Sequence, residues 1–266
     1  MELLLTGVAL LVAAGPLFWF SLRQERLATG ILSAGISSVA ELQEVYARVQ
    51  GEMGRGVFAQ RVAVQGRLEC EQPLTSEVGS LPCAAFRYEV TRRWEETVRE
   101  RDEGGRLRSH TRTGSERVAG NERRVSFWVR DEGGRLLVHP EGATVEMETM
   151  VDRFEPADGR AGPSRFGRIE LDFGRGGHRR TVGYHIGESI LPIGRTIYVL
   201  GMASDHTGAL SICPVPGAGE RFMISLKTRE QLIHAARQSS TILRYAAAGC
   251  VPAGAVLIVL GLVGLR

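Results

Sequence analysis

Four cysteines and six histidines are the residues of this sequence best suited to nucleophilic or metal chemistry. Cys70, Cys83, Cys213 and Cys250 are too few and too unevenly spread for a disulfide scaffold. No C-x2-C pair, the spacing that grips a tetrahedral zinc, occurs among them. His110, His139, His178, His185, His206 and His234 are scattered, and no HExxH or comparable ligand pair is formed. Asp205-His206 could supply two members of a hydrolytic triad, but no G-x-S-x-G elbow accompanies it, and its place between two strand-like runs suits a turn. No catalytic residue, metal site or cofactor is therefore expected. Cys83 is the sharpest single candidate, either as a reactive thiol or as a partner for Cys70. A cysteine that opens a strand serves more simply as a small core hydrophobe.

The elements that would position these residues lie between two apolar segments. Leu3 to Leu22 carries no charge, and at about 1.5 Å per residue it spans the roughly 30 Å hydrocarbon layer. Trp19 and Phe20 suit the interface, and Arg23 and Arg26 follow as a polar stop. Only Glu2 precedes the run, against the basic start of a cleaved signal peptide, so a retained anchor is expected. Ala246 to Leu265 is a second uncharged run between Arg244 and Arg266. Pro252 interrupts it, and Gly249, Gly254, Gly261 and Gly264 leave room on it for another helix, so self-association through the spans is one expectation. Arg23, Arg26, Arg229, Arg237 and Arg244 flank the spans on the inner side, against Arg266 on the other. In a bacterial plasma membrane the positive-inside rule then puts the intervening domain in the cytoplasm.

The intervening chain is β-rich. Ser38-Val39-Ala40-Glu41 is a capping box, followed by Val39, Leu42, Val45, Tyr46 and Val49 along one helical face. From Val57 the period becomes two: Val62, Val64 and Leu68 alternate around Gly66, where a bulge or close backbone approach is predicted. Ala84, Phe86, Tyr88, Val90, Trp94 and Val98 line one side of a long strand, with Arg87, Glu89, Thr91, Arg93 and Glu95 on the other. The string DEGGRL, at Asp102–Leu107 and again at Asp131–Leu136, reads as two hairpin turns. Further strands are predicted at Ile169–Phe173, Thr181–Ile186, Thr196–Leu200, Ala209–Cys213 and Phe222–Leu226, before a Thr228-capped helix. The expected fold class is α+β, a mostly antiparallel β domain between two transmembrane helices. Its parts are a span at 1–22, a linker and amphipathic helix at 23–56, the β domain at 57–227, a helix at 228–245 and a span at 246–265. The Pro- and Gly-rich stretch 155–164 is a candidate boundary between two lobes. A net charge of +3 with interleaved acids and bases gives no long-range field for nucleic acid, which is not expected as a partner.

Thr75-Ser76, Gly79 and Pro82-Cys83, followed by Arg87-Tyr88, resemble the opening of the GIDE domain, also called the beside-a-membrane (BAM) domain. Phe127, Val129, Asp131, Pro140, Gly142 and Ala143 continue the resemblance, then Glu188, Gly194, Tyr198, Val199 and Gly201, and finally Phe222, Ile224 and Ser225. It covers the span between the apolar segments, as in that family. The resemblance implies a relation to membrane-bound E3 ubiquitin ligases of mitochondria and chloroplasts, whose domain faces the intermembrane space. In those proteins a RING finger with two zinc sites does the ligase work, and this sequence holds no C-x2-C pair to build one. Two functions follow. One is a noncatalytic, membrane-tethered binding or scaffold module for an unidentified protein partner or ligand. The other is an E3 ubiquitin ligase-like component of a conjugation or stress system, with a RING supplied by another chain. The expected binding loop is Thr75, Ser76, Glu77, Gly79, Pro82 and Cys83, since an irregular stretch with little apolar content is poorly explained by core packing. A second candidate region is Glu188 and Gly194. Thr75, Ser76 and Glu77 are expected to be exposed, so that alanine there costs little stability.

Overall fold

The structure is a computed structural model that describes residues 5–9, 12–16, 18–22, 35–101, 107–157, 164–171, 179–214 and 222–263. The chain divides into two units, the terminal segments up to Ser37 and from Lys227, and the domain Ser38–Leu226.

The terminal unit is a pair of helices. Helix α1 (Leu5–Leu22) and the long helix α3 (Arg229–Val263) are both apolar and long enough to cross a membrane. Thr228 opens α3 with the expected capping box: its hydroxyl accepts from Gln231 N at 3.3 Å, and its amide donates to Gln231 Oε1 at 3.1 Å. The expected helix at 228–245 and the apolar run that follows it are continuous in α3, which runs through Pro252 without a break. The two helices meet through small residues. A Cβ on Gly7 would lie 2.8 Å from the Gly254 carbonyl oxygen, and Ala14, Ser21 and Ala247 are buried. Gly7, Ala14 and Ser21 recur at heptad spacing, as do Ala247 and Gly254, the pattern that keeps one narrow seam facing a neighbouring helix. Gly254 is therefore occupied within the chain, while Gly249 has open space beside it.

The domain begins with α2 (Val39–Met53). Its Ser38–Glu41 capping box forms as predicted, with Val39 and Leu42 buried and Tyr46 and Val49 packed on the core. Val45 turns outward instead. Eleven residues, β1 (Ala59–Glu69), follow. A Cβ on Gly66 would stand 2.4 Å from the Arg130 carbonyl oxygen, which is the close approach expected there. Strand β1 pairs antiparallel with β12 (Thr196–Ser204) along its length, and at Arg67–Glu69 also with β5 (Phe127–Asp131). The hairpin β5–β6 (β6, Gly134–Val138) turns on the second DEGGRL string, β6 lies parallel to β13 (Ser211–Cys213), and β13 returns to β12. These five strands close a ring in the order β1-β5-β6-β13-β12, a five-stranded Greek-key barrel. Strand β14 (Met223–Ser225) and β7 (Thr144–Val145) extend the sheet from β12. Leu68, Phe127, Val129, Leu136, Val138, Val199 and Ile212 fill the core, at about 1.5–3 kcal/mol for each large side chain taken from water.

A second antiparallel sheet grows from the connections. The short β2 (Leu74–Thr75) leads into β3 (Pro82–Arg101), which pairs with β4 (Leu107–Arg124) on one side and β11 (Arg179–Pro192) on the other. Strand β8 (Glu148–Pro156) forms the far edge. The first DEGGRL string links β3 to β4, but its residues 102–106 lie outside the described set, as do 158–163 of the suggested lobe boundary. A small hairpin, β9 (Ser164–Phe166) and β10 (Ile169–Leu171), puts Phe166 and Ile169 against Val90, Tyr184 and Ile186.

Candidate functional site

The two candidate regions meet through one side chain. Glu188 stands in the middle of β11, opposite Tyr88 of β3, and is 1% exposed. Its Oε2 accepts from the Ser76 hydroxyl at 2.9 Å and from Gly79 N at 2.7 Å, and its Oε1 accepts from Val78 N at 2.7 Å. A carboxylate can be buried when hydrogen bonds to charged or polar donors replace water, and short bonds to an ionised acceptor are the strong ones. The loop Ser76–Leu81 is thus wrapped around an internal acid. Ser76 ties the loop's own ends as well: its amide donates to the Leu81 carbonyl at 2.9 Å, and its hydroxyl accepts from Leu81 N at 3.1 Å.

The hairpin β9–β10 holds the loop from its other side. Arg168 N donates to the Glu77 carbonyl at 2.8 Å, and Gly167 approaches so closely that a Cβ would lie 2.5 Å from that oxygen. Val78 enters the small core with Phe166 and Ile169. What remains at the surface is Thr75, Gly79, Ser80 and Pro82. Ser80 has φ 55°, the left-handed region that costs a non-glycine residue about 1 kcal/mol or more and persists only when its surroundings fix it.

The sequence expectations fare unevenly here. Thr75 is exposed and Glu77 half-buried, but Ser76 is wholly buried, so the expectation of a cheap alanine there is corrected: the hydroxyl is both donor and acceptor in the clamp. Pro82 pairs with Thr75 at the mouth of the hairpin. Cys83 lies in a small core with Phe86 and Ile190, and its thiol donates to the Leu74 carbonyl at 3.7 Å. Desolvation, and then the nearby charges of Glu188 and Cys70, push that thiol up to about 11. A thiol so raised is a poor nucleophile at neutral pH. Cys70, Cys83, Cys213 and Cys250 are all free thiols. Gly194 is not part of the clamp. It takes φ 78° in the turn between β11 and β12, where its amide donates to the Leu68 carbonyl at 2.8 Å.

Other side chains singled out by type have structural duties. The Asp205 carboxylate accepts from Gly56 N at 2.7 Å and Phe58 N at 3.1 Å, fastening the entry to β1, while His206 is exposed in the following turn. Asp131 of the second DEGGRL string accepts from Gly133 and Gly134 N through Oδ1, and from Val39 N at 2.7 Å through Oδ2. One residue thereby forms the turn and holds the start of α2. Among the described residues no group of three or more His, Cys, Asp or Glu side chains is placed to hold a metal ion. Val78 and the Gly167-Arg168 turn were not legible as site residues. The contact that makes them so joins segments about 90 residues apart in sequence.

The model of the GIDE domain family, described as an E3 ubiquitin ligase, matches residues 95–260. No curated protein and no solved structure matches the chain. The matched stretch starts inside β3, after the loop, and includes Glu188, the barrel strands from β5 onward and most of α3. With well over half of its residues in that match, the chain belongs to the GIDE family.

Proposed function

We propose that the protein is a noncatalytic GIDE-type module, tethered to a membrane by α1 and α3, that recognises a protein partner with the loop Thr75–Cys83. The observation that carries this reading is the Glu188 clamp. Three short hydrogen bonds to a buried carboxylate fix a loop whose outer residues, Thr75, Gly79, Ser80 and Pro82, bury nothing of their own. A loop held rigid binds at a lower ordering cost than a mobile one. In a bacterial plasma membrane the flanking arginines favour the cytoplasmic side for the domain.

The test is affinity capture with the full-length, detergent-solubilised chain carrying Thr75→Arg and Ser80→Arg, beside the unaltered chain. Both positions are exposed, so membrane insertion is retained. A partner captured by the unaltered chain should fall at least tenfold with the double variant. Undiminished capture would make the loop purely structural. The second reading, a ligase-like component served by a separate RING chain, is favoured by the family description alone. Ubiquitin discharge from a charged conjugating enzyme by a Cys/His-rich partner, and only when this chain is present, would support it.

A further inference from the structure

The outer face of β1, β5 and β6 carries a row that the fold itself does not explain. Arg67 stands opposite Arg130, and Arg130 opposite Arg135, so three arginines lie in register on three adjacent strands. Like charges directly opposite one another destabilise a sheet. Two of them are relieved by acids: Arg130 Nε lies 2.7 Å from Glu69 and Arg135 Nη1 lies 3.1 Å from Glu71. Those pairs are solvent-exposed, and such pairs are worth only about 0–1 kcal/mol, so an incoming anion can displace them.

The rows beside the arginines supply different chemistry. Trp128, opposite Leu137, sits two residues from Arg130 along β5, about 6.7 Å away on the same face. The Arg135 guanidinium lies over its ring at 4.3 Å, which shows that the indole face accepts a planar cationic or π partner. One row further, the Ser126 hydroxyl and His139 Nδ1 share a hydrogen bond at 2.9 Å at the surface. Inward residues alternate with all of these: Leu68, Phe127, Val129, Leu136 and Val138 are buried. The face therefore runs from an oxyanion-binding row, across an aromatic platform, to a hydroxyl–imidazole pair.

We propose that this face binds a nucleotide. Arg67 and Arg130 hold its phosphate, Trp128 stacks its base, with Arg135 moving from the ring to the phosphate, and Ser126 and His139 hydrogen-bond the far edge. β5 and β6 are the second and third strands of the barrel, and in the OB type of Greek-key barrel that face is the one that takes oligonucleotides. Basic groups beside an aromatic platform are the working parts of such surfaces. The whole-chain charge of +3 conceals the site, because two of its arginines are balanced by Glu69 and Glu71 beside them. This site is separate from the loop proposed for protein recognition.

Calorimetric titration of the full-length chain in detergent, with ADP, inorganic pyrophosphate and single-stranded oligothymidylate as probes, tests the inference. Saturable binding of ADP, tighter than that of pyrophosphate, is expected. Arg67→Gln with Arg130→Gln should weaken ADP and pyrophosphate alike, by about tenfold or more, since charge-assisted bonds are being lost. Trp128→Ala should weaken ADP by about tenfold and leave pyrophosphate unchanged. Oligothymidylate bound more tightly than ADP identifies the ligand as a strand, and more weakly as a free nucleotide; both support the site. Absence of saturable binding to ADP and oligothymidylate, pyrophosphate as tight as ADP, or full affinity in the arginine double variant would overturn it. The two arginines are exposed, so that variant keeps the test decisive even where Trp128→Ala fails to fold.

Discussion

Replacing Glu188 by alanine removes the acceptor for three donors at once. Gly79 is exposed, so water can take over its amide, but the Ser76 hydroxyl and the Val78 amide are in buried residues and have no such recourse. A buried donor left unsatisfied costs about 1–3 kcal/mol, so two put the variant about 2–6 kcal/mol below the native chain. For a domain of this size each kcal/mol moves Tm by about 2–4 °C, so the domain transition should fall by roughly 10 °C. Intrinsic fluorescence of Trp94 and Trp128, both within the domain, reports it during thermal unfolding of the detergent-solubilised chain. Glu188→Gln keeps the shape and one acceptor oxygen, and should lose about half as much. Ser76→Ala, costly in the native background, should cost clearly less once Glu188 is gone, because it then removes a stranded donor and forfeits only the bond that the hydroxyl accepts from Leu81 N. A Tm within about 2 °C of native for Glu188→Ala, or strict additivity of the two substitutions, would refute the clamp.

Gly66→Ala should prevent stable folding of the domain: its Cβ would collide with the Arg130 backbone, which cannot step aside without opening the β1–β5 junction. Expression with a protease-sensitive domain is the expected result, and a native-like Tm the contrary one. Cys83 gives a pH dependence whose sign is fixed. Its folded thiol is raised to about 11 from an ordinary value of 9.0, so the unfolded chain loses its proton first as pH rises. Its contribution is therefore complete below pH about 9 and is lost as pH rises from about 9 to about 11. The fall in Tm over that window should be shallower in Cys83→Ala, and equal slopes would show that the thiol is not the cause. For orientation, Glu132→Cys places a thiol on the exposed β5–β6 turn. An impermeant maleimide should label it in permeabilised bacteria only, and labelling of intact cells would put the domain outside.

Local chemistry was legible in the sequence wherever a pattern is satisfied within a few residues. The capping boxes at Ser38 and Thr228 and the DEGG turn at Asp131 all belong to this kind. The two apolar segments were legible for the same reason, because spanning length is a property of a run of residues. Gly66 marked a close approach without naming what approaches it. Strands β4 and β8 were harder to see: both lie at sheet edges with mostly exposed side chains, so burial writes little periodicity into them. The order of strands in the barrel was not legible at all. It depends on β13 choosing the parallel side of β6, a pairing made by residues more than seventy positions apart. The same holds for the site. Ser76, Gly79 and Glu188 could each be picked out by type, but only the fold brings a β11 carboxylate under a loop that precedes it by about 110 residues. Likewise the three arginines become a row only once β1 and β6 flank β5. The sequence by itself determined which short segments are helix, turn or buried strand, because those are decided by near neighbours. Tertiary structure alone decided that Glu188 holds the loop and that Arg67, Arg130 and Arg135 share a face, because register between distant strands is set by the packing of the whole core.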